Sequence, residues 1–180
     1  MHGVRNMTKY YSTKTYGNDR GLSCCFRQWK SSHSHCSLLH GYSIGIKLVF
    51  ESDTLDDRNW VMDFGGLKAF KEWSEYMFDH TTIIAYDDPH LEKFRALAEL
   101  GLNDKGGILD LRVVDAVGCE KFAELAYNTM NEILHGLRNN GWVLAATGKT
   151  YTARYPVGKG VRLKSVEVFE HAGNSAVYEG

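Results

Sequence analysis

The chain has 180 residues, enough for one domain with its own core, and its 43% hydrophobic and 12% aromatic content excludes a disordered polymer. A formal net charge of -1 excludes global attraction to nucleic acid or an anionic membrane, and leaves room only for a local basic pocket. No apolar run approaches the length that spans a bilayer, so no membrane partner is expected.

Residues 1–20 are polar and mix Lys, Tyr, Thr and Ser; they read as an N-terminal extension to a single domain over 21–180. They lack the apolar core of a signal peptide, which predicts a cytoplasmic protein. Cys24, Cys25, Cys36 and Cys119 have no CxxC spacing and read as free thiols. Gly21 to Trp29 reads as a first strand, followed by a polar loop through His35. Tyr42 to Glu51 alternates, with Tyr42, Ile44, Ile46, Leu48 and Phe50 on one face, the mark of a half-buried strand. Trp60 to Met62 suggests a short strand and Asp63 a helix N-cap. Leu67, Phe70, Trp73 and Met77 follow at helical spacing up to about Phe78. Asp88-Pro89 reads as an N-cap with proline at the first helical position, opening a short helix that Gly101 ends. Ile108 to Val114 suggests a strand. A long helix is predicted from Cys119 to about Arg138, with Phe122, Leu125, Ala126, Met130, Ile133 and Leu137 as its stripe and Gly141 just beyond. Val143 to Tyr155 and Val161 to Phe169 read as closing strands. Strands, then helices, then strands predict an α+β domain with an antiparallel sheet. Long apolar closing strands need their edges covered, which predicts a homo-oligomer.

The densest chemistry lies in Cys36-Ser37-Leu38-Leu39-His40-Gly41-Tyr42, with His33 and His35 just upstream. Two readings of this cluster compete. One is a solvated His-rich loop with an incidental cysteine. The other is a thiol moving protons beside a metal held by imidazoles. Asp79-His80 and Glu120 also have ordinary readings, as a helix C-terminus and a first-turn carboxylate.

Motif order along the chain is more specific. Leu22 to Arg27 is similar to Phe-x-Ala-Ala-His-Arg, Cys36 to Tyr42 to Cys-x-x-Leu-His-Gly-His, and Asn59 to Lys68 to Gly-x-Val-x-Asp-Phe-x-x-Leu-Lys. Phe78-Asp79-His80, Cys119 to Ala123, Val166 to Glu170 and Ala176 to Gly180 add further matches in order. The sequence thus resembles the 6-pyruvoyltetrahydropterin synthase / 6-carboxytetrahydropterin synthase family, with residues 86–114 and 138–159 as insertions.

The resemblance implies a T-fold, an antiparallel sheet with helices packed on one face, whose copies assemble into a β-barrel, as a homohexamer or another homo-oligomer. It implies a lyase acting on 7,8-dihydroneopterin triphosphate between subunits. Cys36 is then the proton carrier, Asp79 and His80 its helpers from a neighbouring copy, and Glu170, Glu120 and Arg27 the substrate-binding residues. The four-residue Cys36-to-His40 spacing matches bacterial members of the queuosine (7-deazaguanine) pathway. Their product would be 6-carboxy-5,6,7,8-tetrahydropterin, with acetaldehyde and triphosphate released. A 6-pyruvoyl-type lyase and a non-catalytic pterin-binding relative are the alternatives.

The family's zinc sits on three histidines, and only His40 matches; Phe26 and Tyr42 stand at the other two positions. Two arrangements remain open. Either the metal is gone, or it is held by His35 and His40 with His33 or Cys36 as a further ligand.

Overall fold

The computed structural model describes residues 9–100 and 107–180. Its elements in chain order are β1 (Tyr10–Tyr16), β2 (Ser23–Phe26), β3 (His40–Ser43), β4 (Gly45–Ser52), α1 (Lys68–Phe78), β5 (Thr81–Ala85), α2 (Leu91–Glu99), β6 (Leu111–Val114), α3 (Cys119–Asn140), β7 (Trp142–Leu144), β8 (Thr150–Thr152), β9 (Arg162–His171) and β10 (Asn174–Glu179). They make an α+β fold of two four-stranded sheets and a small hairpin.

The first sheet runs β1-β4-β9-β10 and is antiparallel throughout. In β4 the expected alternation holds: Ile46, Leu48 and Phe50 are fully buried. β9 changes its inward parity, from Leu163 to Val166 and Val168. The cause is a bulge, since Val49 faces Ser165 while Phe50 faces Leu163. Helix α3 lies on β9 and β10 and buries Phe122, Ala126, Met130, Leu134 and Leu137. Each large apolar side chain buried there contributes roughly 2 kcal/mol of transfer free energy. Gly141 closes α3 with φ 76, the left-handed stop that glycine adopts without strain.

The second sheet runs β3-β2-β5-β6 and is mixed, because β2, β5 and β6 pair in parallel. The antiparallel expectation therefore holds for one sheet and fails for the other. The single strand expected over 42–51 breaks at Ile44, so that β3 joins one sheet and β4 the other. The segment thus crosses between sheets without losing its alternation.

Other differences have local causes. No strand forms at 60–62; the Asp56 carboxylate accepts the Arg58 and Trp60 backbone N–H groups at 2.8 and 2.9 Å and holds a loop. Helix α2 starts at Leu91, not at Pro89; Asp88 accepts the His90 N–H at 2.8 Å with one oxygen and faces Arg27 with the other. Its expected stop at Gly101 lies outside the described residues. The strand expected over 143–155 is the β7–β8 hairpin, with its turn at Gly148. Asp63 does cap the turn before α1, accepting from the Gly65 N–H at 3.0 Å. Part of the stretch read as an extension, residues 10–16, forms edge strand β1.

Candidate active site

One end of β9 meets the first turn of α3 and the paired ends of β2 and β3. Alternation carries Glu170 to the same side of β9 as the buried Val166 and Val168, toward α3. Glu120 stands in the first turn of α3, where the helix dipole favours a carboxylate. Gly118 precedes that helix at φ 123, and a Cβ there would come within 2.8 Å of the Gln28 amide. These residues, with Phe26, Tyr42 and Cys119, line a cleft of about 510 Å³. Its polar side chains are two carboxylates, the amides of Gln28 and Asn174, the Ser175 hydroxyl, the Cys119 thiol and the Tyr42 phenol. That set matches a planar ligand edge rich in N–H donors.

The three family zinc positions, 26, 40 and 42, come together on the paired strands β2 and β3. Phe26 is directly opposite His40, and the Phe26 and Tyr42 rings stack at 4.0 Å and 12°. Both ring nitrogens of His40 are engaged. Nδ1 faces the Leu38 carbonyl at 2.7 Å, so it carries the proton, and Nε2 accepts from the Tyr42 hydroxyl at 2.5 Å. A phenylalanine offers no donor, and the one matching imidazole is already partnered. These residues do not fit a three-histidine zinc centre. The shifted set is not assembled either. His33 and His35 are exposed, the His35 and His40 rings lie 6.4 Å apart, and among the described residues no three His, Cys, Asp or Glu groups gather as metal ligands.

Cys36 sits half-buried in the turn His35–Ser37, whose start is capped by the Ser34 hydroxyl accepting from the Cys36 N–H at 3.2 Å. The Gln28 N–H donates to the Cys36 carbonyl at 2.8 Å, which ties this loop to the cleft. Burial pushes the Cys119 thiol up to about 11, aided by Glu170 and Glu120, so its helix-start position does not activate it. Burial pushes Cys24 up to about 12, aided by Cys25 and Cys119. Burial likewise raises Tyr42 to about 12, with Glu170, Cys36, Cys119 and Cys24 adding to the shift. The phenol, three thiols and the Glu170 carboxylate therefore share one electrostatic neighbourhood.

Arg27 is not on the cleft lining. Its Nε lies 3.0 Å from the fully buried Asp88 carboxylate, an ion pair without the alignment of a hydrogen bond. The pair anchors the end of β2 to the β5–α2 connection. Asp79 and His80 form their own pair, Nδ1 to Oδ1 at 2.6 Å, at the turn between α1 and β5. His80 takes φ 57, an unusual left-handed value for a histidine, and its N–H bonds to the Ser23 carbonyl. That places it at the opposite end of β2 from His40, about 10 Å away along the strand. The two halves of the expected catalytic set do not meet within one copy of the chain.

Beside Asp79–His80 lies a feature that sequence reasoning did not locate. Lys14, Arg20, Lys68 and Lys71 line a pocket of about 310 Å³ with Tyr16, Leu22 and Phe64. One acid, Glu75, faces Lys71 at 2.8 Å. The residues come from β1, the β1–β2 link and α1, so the only sequence signal was the Lys68, Lys71 spacing of one helical turn.

Comparison with known proteins gives the family and the fold. The family profile described as 6-pyruvoyl tetrahydropterin synthase matches residues 18–180. A 6-carboxy-5,6,7,8-tetrahydropterin synthase from Rickettsia typhi is 32% identical over 59 residues, 32% of this chain and 43% of that relative, so the match spans less than half the relative's length. The fold is shared with an uncharacterized protein from Wolinella succinogenes, with TM-score 0.71, 20% identity, and coverage of 96% of this chain and 99% of that one. It is also shared with Plasmodium falciparum 6-pyruvoyl tetrahydropterin synthase, with TM-score 0.58, 12% identity, and coverage of 96% and 98%.

Proposed function

Because the chain belongs to the 6-pyruvoyl tetrahydropterin synthase family, we propose that it is a lyase acting on 7,8-dihydroneopterin triphosphate. The reaction type we favour is that of 6-carboxy-5,6,7,8-tetrahydropterin synthase, in the supply of 7-deazaguanine (queuosine) precursors. The partial likeness to the Rickettsia relative supports that choice over a 6-pyruvoyl product.

The observation that carries the reading is the cleft where Glu170 and Glu120 converge. Glu170 accepts two hydrogen bonds from the guanidine-like edge of the pterin and fixes the ring, and Glu120 lies on the same wall. Two carboxylates repel a triphosphate, so the tail has to lie elsewhere. The pocket of Lys14, Arg20, Lys68 and Lys71 has the charge for it. Cys36 moves protons at the pterin side chain, and Asp79–His80 of a second copy supplies the complementary acid–base pair. Exposed Tyr10 and Tyr11 on β1 and Val177 on β10, the two edges of the antiparallel sheet, support assembly through those edges. No step is assigned to zinc, since the donor set does not fit it. Among the described residues no helix is long and apolar enough to cross a membrane.

A second reading, a pterin-binding protein without turnover, is favoured by one observation: a phenol is bonded to the imidazole that would hold the family's metal. Incubation with 7,8-dihydroneopterin triphosphate and chromatography of the products decides between them. Formation of 6-carboxytetrahydropterin with acetaldehyde is the expected result. Binding without any product, with or without added metal, replaces the lyase by the binding protein.

A further inference from the structure

We propose that Tyr42 takes the metal's place in this cleft: its hydroxyl caps the inward nitrogen of His40 and accepts a hydrogen bond from the side-chain hydroxyls of the bound pterin. The inference rests on the pterin reading and adds to it the residue that selects hydroxylated side chains.

The geometry is closed from three sides. The Leu38 carbonyl fixes the His40 proton on Nδ1, so Nε2 is an acceptor and the Tyr42 hydroxyl, 2.5 Å away, is its donor. The Tyr42 ring stacks on Phe26, which is 2% exposed and meets Phe122 edge-on at 5.0 Å and 84°. An aromatic pair held in the core this way does not swing aside to free the imidazole. Tyr42 nevertheless lines the cleft together with Glu170. A phenol that donates to an imidazole keeps its oxygen lone pairs. Those lone pairs face a ligand as acceptors, where a metal ion would face it as a Lewis acid. A ligand hydroxyl is thus read by hydrogen bonding, and a pterin without side-chain hydroxyls loses nothing at this position.

The test uses the full chain and two probes. Titrated with Co(II), the unsubstituted protein is expected to show no tetrahedral d–d absorption, and Phe26→His/Tyr42→His is expected to gain it by restoring three imidazoles. Should the buried Phe26 change unfold the double variant by circular dichroism, Tyr42→His alone keeps that side chain and is expected to gain weaker Co(II) absorption. A tetrahedral spectrum from the unsubstituted chain at one ion per chain overturns the proposal, and so does failure of every folded variant to bind cobalt. By fluorescence titration, Tyr42→Phe is expected to weaken neopterin about tenfold while leaving 6-methylpterin unchanged. Equal changes for the two pterins overturn the selective role of Tyr42. If the unsubstituted chain binds neither pterin, the pterin reading fails with it, and the cobalt arm still decides what His40 holds.

Discussion

The cleft has two unlike walls. One is Glu170 and Glu120 at the meeting of β9 and α3, where the family pattern is kept and the groups are carboxylates. The other is Phe26 and Tyr42 on β2 and β3, with His40 hydrogen-bonded to the Tyr42 hydroxyl, where the family pattern is replaced by an aromatic stack and a phenol–imidazole hydrogen bond. The difference separates two tasks that a pterin synthase combines. Under the proposed function, ring recognition rests on the Glu170 and Glu120 acceptors that this wall keeps. Side-chain polarisation depends on a metal or a substitute, and the substitute proposed above is the Tyr42 hydroxyl. Cys36 lies beyond the rebuilt wall, close enough for its charge to act on Tyr42.

The sharpest break between the walls comes from Cys36. Cys36→Ala is expected to lower turnover by about 10³-fold, the scale of a lost proton carrier, while pterin affinity changes by less than about threefold. Turnover assays beside pterin titration check it, and full turnover by the variant would remove Cys36 from the mechanism. Brief alkylation at neutral pH adds an independent readout. Cys24 and Cys119, held up at about 12 and about 11, are expected to stay unlabelled while Cys36 reacts first.

Next in size is the retained wall. Glu170→Ala is expected to weaken pterin binding about 100-fold, by loss of two charge-assisted hydrogen bonds. Glu167→Ala serves as its control. Glu167 sits on the opposite face of β9 and accepts from the Ser175 hydroxyl at 2.7 Å, so its loss should change affinity by less than about threefold. Equal losses in isothermal titration would sink the assignment of Glu170. Smaller again is the cationic pocket. Lys68→Ala is expected to raise KM for the triphosphate substrate about tenfold, less at high salt, and to leave the affinity for neopterin unchanged. An equal loss for neopterin would place the triphosphate elsewhere.

Much of the scaffold was legible in the amino-acid sequence because its elements are half-buried. Alternation in β4 and helical spacing in α1 and α3 announce an inward face, and Asp63 and Gly141 mark their ends. β5 was not legible, because all five of its residues are buried and nothing alternates. Nor was the pairing of Arg27 with Asp88, which draws a residue with a binding-site appearance into a structural ion pair far along the chain. In the cleft, Glu170 and Glu120 were found through motif order. The rebuilt wall was visible only as missing histidines. That Tyr42 turns its hydroxyl onto His40, two residues back on the same strand face, depends on a side-chain direction that no spacing encodes.

The smallest expected effect is electrical and links the two walls. Tyr42, ordinarily near 10, is raised to about 12, chiefly by burial and next by Glu170. Cys119, ordinarily near 9, is raised to about 11 by burial and then by Glu170 and Glu120. Each group is neutral in the fold and ionises later there than in the unfolded chain. Their contribution to stability is therefore complete below the unfolded values and is lost as pH rises through the folded ones. The thermal midpoint should hold level up to about pH 8 and fall as the pH is raised toward 11. Glu170→Gln removes the second cause and leaves the first. The folded values then drop partway toward the ordinary ones, and the alkaline fall becomes shallower by a minor fraction. Thermal melts of both proteins between about pH 7 and 11 give the comparison. An unchanged or steeper alkaline fall in Glu170→Gln would mean that the carboxylate does not raise the phenol and the thiol across the cleft, and the two walls would then have to be treated as independent.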